Sequence, residues 1–298
     1  MPTLADLVAP LILPALLAAV ACVIPSLLPR WPRSQWAGPL ALAMAFVAAY
    51  PLVGSQRPTF PPNSAGDWLF WLAIPVALSA GVSSMFVLPA TVRAAVAGGT
   101  IGLAVYCVMQ PATASRTPAE WWGLWAAIVV ILTVVWGFAD AALRSADAPK
   151  TALAGFTCIL VGACLLIQMS GSLKYAHQGL AVPAGGFVAL ALLGMGLPHR
   201  HVLPGIALAA VGIVGTLLAI SIEPLFVYVK VHNALLIAVA PVLLWVGIRW
   251  VRLPQARPWV RLIARLALPA IPVLLALTIA GLKAMRDMSA APGDYDGW

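Results

Sequence analysis

The chain has 298 residues, of which 62% are hydrophobic and 9% charged. Soluble domains are about half apolar and about a quarter charged, so a mean hydropathy of +0.99 excludes one and points to a protein that crosses a membrane repeatedly. The net charge of +8 reflects Lys and Arg at the ends of membrane spans rather than a phosphate-binding face, and no nucleic-acid partner is expected.

A span needs about 20 mostly apolar residues, and in lipid it must be a helix or part of a closed barrel. The apolar runs are continuous rather than alternating, which selects helices. The expected fold is an all-α bundle of about ten transmembrane helices with no soluble domain. The first covers 4–28. Thr3 and Asp6 suit its cap and first turn, and no positive segment precedes it, so it reads as a retained span rather than a cleaved signal. Spans two and three, 36–53 and 67–89, are joined by the Pro-rich loop GSQRPTFPPNSAG, in which Ser64 caps the helix that Asp67 begins. Span four, 91–110, follows closely after Pro89. Span five, 118–143, opens with Thr117 as cap, Pro118 in the first position and Glu120 three residues beyond the cap. Spans six to ten are expected at 150–170, with Asp147 as cap, then 179–197, 202–222, 233–248 and 262–284. A short mobile tail, 285–298, closes the chain.

The stretch from Arg249 to Arg265, RWVRLPQARPWVRLIAR, holds five of the 17 Lys and Arg residues. Cytoplasmic loops are enriched in these residues, so it is expected inside, with both termini outside (periplasmic) in a bacterial cytoplasmic (inner) membrane. The inward loops then carry 11 cations and the outward segments 6. Arg249, Arg252, Arg257, Arg261 and Arg265 are expected to touch anionic lipid as well as the bilayer itself.

Small residues four apart, Gly98 with Gly102, Gly205 with Ala209 and Gly212 with Thr216, would let helices approach closely. Cys22, Cys107, Cys158 and Cys164 sit in apolar runs and are expected as small buried hydrophobes. The Trp residues fall mostly near span ends, as in an interfacial belt.

The common catalytic motifs, GxxxxGK[ST], HExxH, GxSxG and GxGxxG, are absent. No catalytic residue, cofactor or metal is expected, since His177 and His232 would supply only two ligands where zinc takes three or four. The acids lie at or near span ends, and Asp140 can pair with Arg144 one turn on, which counts against proton pumping. Two outward polar patches are left. One runs from Ser170 to Gln178 and contains Lys174, Tyr175 and His177; the other contains Glu223, Tyr228, Lys230 and His232. Lys174, Tyr175, His177, Glu223, Lys230 and His232 are the candidate substrate-binding residues, against the plainer account that Lys, His and Tyr anchor span ends at the headgroups. The expected function is a permease-like carrier of a small solute or lipid. The alternatives are a non-transporting scaffold or integral subunit of a larger membrane complex, and a membrane-embedded lipid-modifying enzyme.

Overall fold

The computed structural model describes residues 37–54, 58–86, 88–111, 116–145, 148–194, 203, 205–226, 228–251 and 257–289. The expected first span with Thr3, Asp6 and Cys22, the turn holding Arg200, Asp147, Arg252 and the end of the tail from residue 290 lie outside the described residues.

The described elements are helical: α1 (Ala37–Gly54), α2 (Ala65–Met85), α3 (Ala90–Met109), α4 (Pro118–Leu143), α5 (Pro149–Met169) and α6 (Leu173–Gly194). Next comes α7, which runs from Ile206 to Ile220 through a π-helical turn at Val211–Gly215. The short α8 (Glu223–Phe226), then α9 (Val231–Trp250) and α10 (Pro258–Ser289), complete them. The only β pairing among the described residues is an isolated bridge between Ile222 and Val229. Six helices, α2, α3, α4, α5, α9 and α10, are long and apolar enough to cross a membrane, while α1 and α7 contain shorter apolar helices. The chain is a multi-pass helical bundle with the composition of a membrane protein.

The long helices form a ring in the order α1, α2, α3, α4, α9, α10, α5, α6 and back to α1, with α9 also touching α5, and α7 stands in the middle. From Ile206 to Ser221 α7 is buried apart from a half-buried Gly215. Lipid is as apolar as these side chains, so the bundle is held by close packing rather than by a hydrophobic drive between helices. Glycines create that closeness. A Cβ on Gly212 would meet Val76 Cγ1 at 2.6 Å, one on Gly162 would meet Val273 Cγ1 at 2.4 Å, and one on Gly247 would meet the Arg265 carbonyl oxygen at 2.7 Å. Of the small-residue pairs expected as seams, Gly98 and Gly102 indeed face Thr133 and Trp125 of α4.

The local signals act as their chemistry dictates. Ser64 accepts the Asp67 N–H, and Thr117 and Glu120 form a reciprocal capping box behind Pro118. The residue capping α5 is Ala148, with no side-chain cap bond, rather than Asp147. Two boundaries differ from expectation. Helix α6 starts at Leu173 instead of 179 because α5 ends in a tight left-handed turn at Gly171, φ 98°. There the Ser172 N–H reaches the Ile167 carbonyl and the Gly171 N–H reaches that of Gln168. Lys174, Tyr175, His177 and Gln178 are therefore helical rather than loop residues. Helix α10 starts at Pro258 instead of 262, so Arg261 and Arg265 stand on its first turns, and it runs on to Ser289 through the start of the expected tail. Cys158 is exposed on the bundle surface, and Trp136, in the middle of α4, is buried rather than part of a belt.

Candidate functional site

Successive long helices run in opposite directions, and their contacts fix which ends share a level. At one end Tyr50 of α1 and Tyr175 of α6 both lie against Gly66 of α2, and Met169 of α5 lies by Gly281 of α10. At the other, Gly205 packs on Pro39 and Ala80, and Arg93 of α3 meets Asp140 of α4. The candidate residues of both polar patches belong to the first, the Asp67 end.

They fall into two groups there. The first is centred on Asp67, which sequence reasoning treated only as a first-turn acid. It is 7% exposed and its carboxylate is ringed by hydroxyls. The Tyr50 hydroxyl donates to Oδ1 at 2.8 Å, and those of Thr59 and Ser64 donate to Oδ2 at 3.0 and 2.9 Å. The loop is held beside it by Trp71, whose indole N–H donates to the Thr59 carbonyl at 3.0 Å. Tyr50 is itself 2% exposed, with its ring 5.1 Å from that of Phe70. Of the expected site residues Tyr175 belongs here: its ring lies 3.7 Å from the position a Cβ on Gly66 would take, and Tyr228 is within electrostatic reach of it. One turn further along α6, Gln178 is fully buried, and neither atom of its amide end has a hydrogen-bond partner.

The second group is an ion pair between Glu223 and Lys230, with His232 and Lys283 of α10 acting on the same carboxylate. The backbone holds these residues in a closed loop. The Glu223 N–H donates to the Val229 carbonyl and the Val229 N–H to the Ser221 carbonyl, each at 2.7 Å. The hydrogen bond from Lys230 keeps the Glu223 carboxyl below the usual carboxylate range, helped by the charges of Lys230, Lys283 and His232. Glu223 thus has a local partner, which the sequence left unassigned. Lys174 is exposed and His177 half-buried on α6, and the largest influences on Glu223 come from neither.

Below this loop lies a cavity of about 250 Å³ between α4, α7 and α9. Leu124, Ile128, Gly215, Ala219, Ile222 and Val231 line it, and every other lining residue is apolar as well. A smaller space of about 50 Å³ continues from it towards α5, sharing Leu132, Gly215, Leu218 and Ala238. Together they form one apolar groove, with the π-helical turn of α7 at its floor. Ile131 and Leu235 beside it are exposed on the bundle surface. Ile222 and Val231, at its mouth, immediately flank the loop of Glu223 and Lys230.

At the opposite end Asp140 accepts from Arg144 Nε at 2.7 Å, as expected, and also from Arg93 Nη1 at 3.0 Å. Arg257, Arg261 and Arg265 are one helical turn apart, and Arg265 Nε reaches the Val251 carbonyl at 3.4 Å. No cluster of three or more His, Cys, Asp or Glu able to hold a metal occurs among the described residues.

No signal in the sequence marks the groove, which is built from three separated helices. The Asp67 group had one local signal, the Ser64 cap; Tyr50 is 17 residues away. No protein-family model, curated protein or solved structure matches the chain.

Proposed function

We propose that the protein is a permease-like carrier of an amphiphilic, lipid-like molecule. It spans a bacterial cytoplasmic membrane ten times, with the loop from Arg249 to Arg265 on the cytoplasmic side. The apolar part of the cargo lies in the groove between α4, α7 and α9, and its polar end lies at Glu223, Lys230 and His232. The observation that carries this reading is the junction itself: Ile222 and Val231 are at once groove wall and flank of the charged loop.

An apolar groove surrounded by lipid gains no hydrophobic free energy by holding another chain. Selection must therefore come from shape and from the charged rim, and this groove has both. Lys230 and Lys283 outnumber Glu223 there, which suits an anionic headgroup. Two walls contain helix irregularities, the π-helical turn of α7 and Pro241 in α9, at which membrane helices commonly bend.

The test is transfer of a short-chain fluorescent phosphatidylglycerol across vesicles holding the purified protein, read by surface quenching. The wild type is expected to accelerate transfer over protein-free vesicles. Ala219→Trp and the milder Ala238→Phe, which both fill the groove, should abolish it, and Lys230→Met should lower it selectively for the anionic lipid. Wild-type transfer no faster than in protein-free vesicles, or unchanged in both groove variants, refutes the carrier. A co-purifying protein that Ala219→Trp releases would identify the groove as a subunit contact instead.

A further inference from the structure

We propose that Tyr50, Thr59, Ser64, Asp67 and Gln178 form a site for a monovalent metal cation, sodium foremost, between α1, α2 and α6. It lies on other helices than the groove and stands whether or not the protein moves lipid.

Two independent observations lead to it. The first is the Asp67 carboxylate, 7% exposed, whose donors are all neutral: the hydroxyls of Tyr50, Thr59 and Ser64 and the backbone N–H of Asn63. These donors and the N-terminus of α2 offset part of the cost of burying the charge, but they leave it without a full counter-charge. The hydroxyls do supply oxygen. With the two carboxylate atoms they bring five oxygens together, the ligand type of hard cations, and each hydroxyl can rotate its proton away and offer a lone pair.

The second is Gln178. Its side chain is fully buried, with both Oε1 and Nε2 unpartnered. It stands one turn beyond Tyr175, which reaches Gly66, and seven residues before Gly185, which packs on Leu42 of α1. Seven residues are close to two helical turns, so Gln178 shares the α1-facing side of α6 with Gly185 and stands one turn deeper than the contact of Tyr175 with α2. An amide in that position with nothing to bond is worse than an apolar residue of the same shape, unless something else occupies its oxygen. A purely structural role for Asp67, holding the Thr59–Ser64 loop against α2, accounts for the hydroxyls and leaves Gln178 unexplained.

Charge and space choose the ion. One carboxylate balances one positive charge, whereas calcium sites gather several carboxylates. The packing is too close for an organic ammonium, since even a Cβ on Gly66 would meet the Tyr50 hydroxyl oxygen at 3.2 Å.

The experiment is thermal unfolding of the full-length protein in detergent, in sodium, potassium or N-methylglucamine chloride at equal ionic strength. Sodium is expected to raise the melting temperature saturably and more than potassium, with no effect of N-methylglucamine. Asp67→Asn and Gln178→Leu should each raise the half-saturating sodium concentration by about tenfold or more. If Asp67→Asn does not fold, Thr59→Val and Tyr50→Phe give the graded version of that loss. Gln178→Leu separates the two accounts. If the amide serves only packing, the variant is more stable in every salt and keeps the wild-type sodium response, which overturns the proposal. A wild type with no sodium-specific shift overturns it as well.

Discussion

Asp140 joins α3 to α4 at the end of the bundle opposite Asp67, and its removal gives a sharp measure of what holds that end together. Oδ2 accepts both Arg93 Nη1 at 3.0 Å and Arg144 Nε at 2.7 Å, and the three side chains are 10%, 23% and 44% exposed in the order Asp140, Arg93, Arg144. Unit charges at such distances attract by about 5 kcal/mol at an effective dielectric constant near 20. Desolvation offsets much of that in the intact pair, yet breaking a buried pair by removing one partner costs about 3–5 kcal/mol, because the remaining charge stays buried alone. Arg144 is well exposed and bonds within its own helix, so solvent screening reduces its share to about 0.3–0.5 kcal/mol. Arg93 stands in the first turn of α3, where a cation opposes the helix dipole and relies on Asp140. Asp140→Asn is therefore expected to cost about 3 kcal/mol, Arg93→Met slightly less, and Arg144→Ala under about 0.5 kcal/mol. The double variant Arg93→Met with Asp140→Leu should recover most of the loss, since apolar replacement of a buried pair is often neutral or better. Equilibrium unfolding by SDS in mixed micelles, followed by tryptophan fluorescence, measures all four. If Asp140→Asn costs no more than Arg144→Ala, the link between α3 and α4 is not what holds this end.

Two further outcomes follow from the geometry. The Lys230 hydrogen bond depresses the Glu223 carboxyl from its ordinary 4.5. A depressed carboxylate contributes its stabilisation fully above the unfolded value and loses it as pH falls through the folded one, so wild-type melting temperature should drop in that acid range. Lys230→Met should flatten the drop, and an identical profile in the variant would show that the pair does not link pH to stability. At the contact of α5 with α10, Gly162→Ala places a Cβ 2.4 Å from Val273 Cγ1 and is expected to cost about 1–3 kcal/mol by overpacking. Val273→Ala in the same chain should restore most of it, and strict additivity of the two would refute the contact.

What the sequence revealed and what it concealed divide by range. Thr117, Pro118 and Glu120 mark the start of α4 because a cap is a contact among residues three apart, and the helix spans 118–143 as read. The onset of α6 was misplaced by polarity. Lys174, His177 and Gln178 look like a loop in a chain this apolar, but Gly171 completes the turn within three residues and leaves them nothing to do except wind. Burial was less legible still. In a membrane the outer face of a helix is as apolar as its inner face, so hydrophobicity does not separate exposed Cys158 from buried Cys164. The same limit hid the acids. Asp67 and Asp140 sit near span ends, where a sequence offers a cap or an i,i+4 partner as sufficient explanation. Their further partners, Tyr50 and Arg93, are 17 and 47 residues away. Neither acid is a solvated terminus residue, and both are buried.

Helix α7, packed between the Asp67 end of α2 and α6 on one side and the groove on the other, has no ionisable group of its own. On one side of α7, Gly212 packs on Val76 of α2, and Leu217 reaches Gly179 of α6, so it touches the two helices that bear Asp67 and Gln178. On the other, Gly215 meets Leu132 of α4, and Leu218 and Ala219 line the groove. Its ends are fixed. Gly205, at φ 77°, sits where any Cβ would strike the Ala80 carbonyl oxygen at 2.7 Å, and the Ser221 carbonyl is bound by the Val229 N–H. The π-helical turn between them takes up an extra residue, which offsets the register of the half that faces the groove from the half that starts at Gly205. The one polar side chain between Ile206 and Ile220 is Thr216, whose hydroxyl donates to the Gly212 carbonyl at 2.7 Å beside that turn.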